Sequence, residues 1–109
     1  MARKTELFQG TLDMLVLRVL SRGELHGWGI TNRLEQLSQS ALQVDEGSLY
    51  PALYRMEEKG WIEAEWKQTE NNRRAKYYTL TRAGRKQLET EQATWNRMTA
   101  IIAQVMQSA

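Results

Sequence analysis

Glu46-Gly47-Ser48-Leu49-Tyr50-Pro51-Ala52-Leu53-Tyr54-Arg55-Met56-Glu57 carries the strongest local pattern in the chain. Leu49, Leu53 and Met56 recur at i, i+4 and i+7, the spacing that lines up apolar side chains along one stripe of a helix. Asp45-Glu46 gives a start signal, and Lys59-Gly60 gives a stop, a basic last turn followed by a C′ glycine. Pro51 falls early, where a missing backbone donor costs far less than in mid-helix. With the apolar stripe turned inward, the N-terminal outer face shows Gly47, Ser48, Tyr50, Pro51, Tyr54 and Arg55. Small and hydrogen-bonding groups at a helix N-terminus suit close approach to phosphates, and Arg55 has the donors to read guanine or hold a phosphate. For Tyr50 and Tyr54 a second role is open, that of propping a neighbouring hairpin.

Two helices are expected upstream. Thr11 can cap the first, with Asp13 in its first turn; Leu12, Leu15, Val16, Val19 and Leu20 form its stripe, and Gly23 ends it. Met14 and Leu17 make the opposite side apolar too, which predicts a second packing surface. The second helix starts near Gly27 or Trp28, buries Ile30, Leu34 and Leu37, and closes at Ser38-Gln39-Ser40. Downstream of Gly60 the apolar period changes from 3.6 to 2. Ile62, Ala64 and Trp66 alternate with Glu63, Glu65 and Lys67, Tyr78 and Leu80 alternate with Tyr77 and Thr79, and the polar stretch around Asn71-Asn72 lies between. The pattern predicts a β-hairpin whose tip carries Arg73, Arg74 and Lys76. Thr81 then caps a helix running to about residue 107, roughly 39 Å long at 1.5 Å per residue. On it Leu88, Trp95 and Ile102 follow a strict heptad, joined by Met98, Ile101, Val105 and Met106. The far half of such a helix needs something to pack against, and a second copy of the chain is the economical answer. Leu88, Trp95, Met98, Ile102 and Val105 are the expected dimer contacts.

The whole chain has 109 residues, 41% hydrophobic and 26% charged, with no Cys. That is one domain, without disulfides or thiolate chemistry. No signal segment and no apolar run long enough to span a bilayer is visible, so a soluble, cytoplasmic protein without membrane contact is expected. The net charge of +2 is unevenly spread. Residues 66–86 hold Lys67, Arg73, Arg74, Lys76, Arg82, Arg85 and Lys86 against Glu70 alone, a surplus of +6. An enzyme is poorly supported. His26 is the single histidine and precedes a helix, where a cap or packing role is the ordinary one; no metal site, phosphate loop or cofactor motif can be assembled.

The expected fold is mostly α with a small β-hairpin. Three helices, a hairpin and a long helix make a winged helix-turn-helix over residues 1–80 with one C-terminal dimerisation helix over 81–109, one structural unit overall. In that arrangement the third helix enters the DNA major groove and the hairpin reaches the flanking backbone or minor groove. The expected DNA contacts are Ser48, Tyr50, Pro51, Tyr54 and Arg55, with Arg73, Arg74 and Lys76 on the hairpin. The competing reading is a winged-helix protein-interaction module that does not bind DNA.

Gly47-Ser48-Leu49-Tyr50-Pro51, Gly60-Trp61-Ile62, Arg74-Ala75-Lys76-Tyr77-Tyr78-Thr79-Leu80-Thr81 and His26-Gly27-Trp28-Gly29-Ile30 closely resemble the PadR family of bacterial transcriptional regulators. The resemblance implies a homodimer that binds an inverted-repeat operator, usually as a repressor released by a small molecule or a stress signal. The single C-terminal helix is similar to the small PadR subfamily of multidrug-sensing repressors, in which a tryptophan of the last helix and its symmetry mate sandwich flat aromatic drugs. Trp95 matches it, and Leu7, Gly10, Asp13, Met14, Glu91 and Thr99 would line the same pore. The acidic pair Asp13 and Glu91 would favour a cationic aromatic effector. Ordinary packing of Trp95 in the dimer core is the alternative. Asn71-Asn72 departs from the glycine and arginine frequent at the family's wing tip, which leaves the turn type open.

Overall fold

The computed structural model describes residues 9–108. Helix α1 (Gln9–Leu20) leads through strand β1 (Leu25–His26) to α2 (Gly27–Leu37) and α3 (Glu46–Glu58). Strands β2 (Ile62–Gln68) and β3 (Arg74–Leu80) follow, and α4 (Arg82–Gln107) closes the chain. Three helices begin where a side chain accepts a backbone N–H that the helix itself cannot satisfy. His26 Nδ1 accepts from Gly29 at 2.9 Å, Asp45 Oδ1 from Ser48 at 2.8 Å, and Thr81 Oγ1 from Gly84 at 3.0 Å. Thr11 does not cap α1, which already includes Gln9.

The helix ends are equally specific. Gly60 (φ +78°) follows α3, with the Trp61 N–H bonded to the Met56 carbonyl and the Gly60 N–H to the Glu57 carbonyl, both at 3.0 Å. This is a Schellman turn. Gln39 (φ 54°) takes the same place after α2, with the Ser40 N–H on the Glu35 carbonyl at 2.8 Å. The returning chain packs Leu42 and Val44 against the core, and Leu37, expected to be buried, is left 67% exposed.

Val16, Leu17 and Leu20 of α1, Ile30 and Leu34 of α2, and Leu49, Leu53 and Met56 of α3 meet Ile62, Tyr78 and Leu80 of the sheet in one core. The sheet has three strands in the order β1-β3-β2, all antiparallel. Strand β1, unforeseen in the sequence, pairs Leu25 with Tyr78 and His26 with Tyr77. It ties the start of α2 to the hairpin. The hairpin register sets Ile62 opposite Leu80, Ala64 opposite Tyr78 and Trp66 opposite Lys76. Ile62 is buried as the alternation predicts, but Trp66 on the same face is 57% exposed because the hairpin runs out beyond the body. At its tip Asn72 (φ 63°) donates to the Thr69 carbonyl, and Thr69 N–H donates to Arg73. An asparagine thus supplies the left-handed residue that a three-residue hairpin loop requires.

Among the described residues, helix α4 meets the body through its N-terminal part, where it packs on α1 and β3. Gly84 lies against the Trp61 carbonyl and the Leu80 side chain, and Thr81 Oγ1 donates to the Gly60 carbonyl at 2.6 Å. Leu88 is 9% exposed and belongs to the core of its own chain, which corrects its expected place in a dimer contact. Two turns from the cap are too few to clear the body. From residue 92 to 108 every position is exposed, including Trp95, Met98, Ile101, Ile102, Val105 and Met106. Among the described residues no helix is long and apolar enough to cross a membrane.

Candidate nucleic-acid interface

The outer face of α3 and the wing formed by β2 and β3 enclose an open cleft of about 870 Å³. One wall carries Tyr50, Tyr54 and Glu57, the other Trp66, Arg73, Arg74 and Lys76, and His26, Gly27 and Trp28 close the end at α2. Packing sets these positions. The Tyr50 ring lies so close over Gly27 that a Cβ there would stand 2.8 Å from its Cζ, so the glycine lets α3 approach the start of α2. Ser48, Pro51 and Tyr54 are exposed on the same side of α3. Glu58, by its charge and a hydrogen bond, raises the Tyr54 hydroxyl above the ordinary tyrosine pKa.

Cation–aromatic contacts line the wing. The Arg74 guanidinium sits 5.6 Å from the Trp66 ring centre, diagonally across the strands, and Lys67 Nζ sits 5.8 Å from that of Tyr77. Lys67 Nζ also pairs with Glu24 at 2.7 Å and holds the outer strand to the body. Of the three expected wing cations, Arg73 and Arg74 are exposed at the tip. Lys76 is half-buried and pairs with Glu57 of α3 at 3.3 Å, so it braces the cleft. Trp28, 69% exposed on the rim, and Trp66 were not among the expected site residues. Their signal in the sequence is weak: Trp66 is exposed because the wing runs out beyond the body, and Trp28 because it lies on the outer side of the first turn of α2, neither of which a local pattern encodes.

Arg55 is placed differently from its expected role. Its Nη2 donates to Asp13 Oδ1 of α1 at 2.7 Å and its Nη1 to the Pro51 carbonyl at 3.4 Å, which turns the guanidinium toward α1 instead of the cleft. Asp13 is 7% exposed. Burial raises its pKa above the ordinary carboxylate value; Glu91 adds to the rise, and the Arg55 and Lys59 charges oppose it. An acid with a raised folded pKa contributes most below its unfolded pKa and loses that contribution as pH rises through the folded one. The stability of the wild type relative to Asp13→Asn is therefore expected to be highest in acid and to fall toward neutral pH. Paired thermal melts across that range check it, and a difference independent of pH would contradict it.

The residues matched to an effector pore are only partly gathered. Met14 and Glu91 are half-buried, with Gln87 Nε2 donating to Glu91 Oε2 at 2.9 Å. Trp95 and Thr99 follow at successive four-residue steps along the exposed part of α4, Gly10 is exposed on α1, and Leu7 lies outside the described residues. Among the described residues no three His, Asp or Glu side chains are grouped to hold a metal ion.

A helix-turn-helix body, a polar and aromatic face at the start of its third helix, and an arginine-tipped wing beside that face define a winged-helix DNA-binding transcriptional regulator. The chain belongs to the transcriptional regulator PadR-like family, whose sequence profile matches residues 16–90. A PadR-like transcriptional regulator from Bacillus cereus is 29% identical and superposes with a TM-score of 0.77, over 93% of this chain and 96% of that one. A PadR family regulator from Eggerthella lenta is 27% identical, with a TM-score of 0.81 over 93% and 86% of the two chains. An uncharacterized protein from Lysinibacillus sphaericus is 26% identical over 99 residues, 91% of each chain.

Proposed function

We propose that the chain acts as a homodimeric repressor of a nearby operon in the cytoplasm. Two copies joined through residues 81–109 would bind an inverted-repeat operator and release it on binding a small aromatic or cationic effector. One observation carries the reading: Tyr50 and Tyr54 on the exposed face of α3 and the arginine tip of the wing stand on the two walls of one open cleft. Ser48, Tyr50, Pro51 and Tyr54 would meet base edges and the adjoining phosphates in the major groove. Arg73 and Arg74 would hold the flanking backbone, and Lys76 would keep the wing at its angle through Glu57. The unpaired stripe Trp95, Met98, Ile102 and Val105 supports the dimer. Trp95, with Glu91 and Thr99 one turn to either side and Met14 and Asp13 on α1, is the candidate effector site.

Fluorescence anisotropy on the promoter DNA of its own gene and on random duplex tests the assignment. Arg74→Ala is expected to weaken binding to both and to reduce the salt slope by about 1. Tyr50→Ala is expected to reduce the preference for promoter DNA about tenfold, the scale of one base pair's discrimination. Affinities that ignore both changes would contradict the proposed interface.

A further inference from the structure

The Asp13–Arg55 bond joins side chains 42 residues apart in sequence and crosses from α1 to α3. Arg55 follows Ser48 by seven residues, two helical turns, so the two lie along one stripe of α3. Tyr50 and Tyr54 of the same helix line the cleft, Ser48 is exposed at its start, and Arg55 grips α1. A rotation of α3 that breaks the ion pair moves Ser48 through the same angle. The second Arg55 bond, to the Pro51 carbonyl, lands on the same stripe between them. The pair is half-buried, the Asp13 carboxylate stripped of water and the Arg55 side chain still 31% exposed, so it typically adds little stability over a well-packed apolar pair. What it adds is direction, since the planar guanidinium fork accepts a partner from few angles. Glu91 of α4 and Lys59 act electrostatically on the same carboxyl.

We propose that Asp13 is a positioning residue for operator recognition: acting through Arg55, it fixes the rotational setting at which α3 presents Ser48, Tyr50 and Tyr54 to DNA. This rests on the reading of α3 as the element that reads DNA. Asp13 itself is buried and touches no nucleic acid. The test compares wild type, Asp13→Asn, and the double variant Asp13→Leu with Arg55→Met, an apolar pair in place of the ionic one. Melting temperature and the affinities for promoter DNA and random duplex are measured for each. The double variant is expected to melt near the wild type and to bind random duplex as well, while its preference for promoter DNA falls about tenfold. Asp13→Asn keeps Arg55 but weakens its hold, and its preference is expected to fall in the same direction. A folded double variant with wild-type preference would show a merely structural pair and overturn the proposal. So would an Asp13→Asn protein with unchanged or increased preference, the latter being the signature of an Arg55 released to contact DNA directly. If the double variant does not fold, Asp13→Asn decides alone. A wild type that shows no preference for promoter DNA overturns the reading of α3 and this proposal with it; a wild-type preference that the variants retain overturns this proposal alone.

Discussion

Ile102→Glu is expected to leave each chain folded, to convert the proposed dimer into monomers, and to weaken operator binding about 10²–10⁴-fold, the factor gained when two binding modules are linked. Ile102 is exposed in the single chain, between Met98 and Val105–Met106 on the same side of α4. A solvated side chain contributes little to the stability of its own fold, and exchanges at such positions usually stay within about 0.5 kcal/mol. A two-fold interface repeats every substitution, so two carboxylates would enter one apolar seam. Each would have to be stripped of water without a partner. Sedimentation velocity reads the assembly state and anisotropy the affinity. A variant that stays dimeric with wild-type operator affinity would place the interface elsewhere.

Gly84→Ala is expected to produce the largest loss of stability. A Cβ at Gly84 would overlap the Trp61 carbonyl oxygen and the Leu80 Cδ1. The carbonyl cannot step aside, because it accepts the Thr81 N–H at 3.0 Å in the corner that launches α4. Either α4 moves away, loosening Leu88 from the core, or the corner loses its hydrogen bonds. Overpacking of this kind costs about 3 kcal/mol. For a domain of this size that corresponds to a fall of about 12–24 °C in melting temperature. Gly47→Ala is the control: its Cβ would meet only the Asp45 carboxylate, at an ordinary 3.5 Å, and should leave the melting temperature unchanged or slightly raised. Equal melting temperatures for the two variants would contradict the close packing at Gly84.

Most of the fold was legible because its signals are local. The stripe of α3, the switch to a period of two, and the caps at Asp45 and Thr81 each depend on residues within a few positions of one another. The misses depend on distance. Strand β1 has two residues and no alternation to betray it; it exists because β3 offers it an edge. Leu88 sits on the same heptad as Trp95 and Ile102, and only the length of the body decides that the first is core while the others are exposed. Helical spacing sets Arg55 off the apolar stripe of α3, but its partner lies on another helix, and spacing says nothing about which neighbour a face will meet. The candidate site divides the same way. The exposure of the α3 face and of the wing arginines follows from helical spacing and the hairpin pattern, whereas the pairing of Lys76 with Glu57 and the tryptophans on the cleft rim emerge only once strand register and wing length are fixed.

Titration of the wild-type protein with promoter DNA and with a scrambled duplex of equal length, at several salt concentrations, tests DNA recognition by the α3 face and wing most directly. The expected result is a clear preference for the promoter duplex, with log affinity falling linearly in log salt and the slope counting the phosphates neutralised. Equal affinity for both duplexes, or binding indifferent to salt, would contradict it.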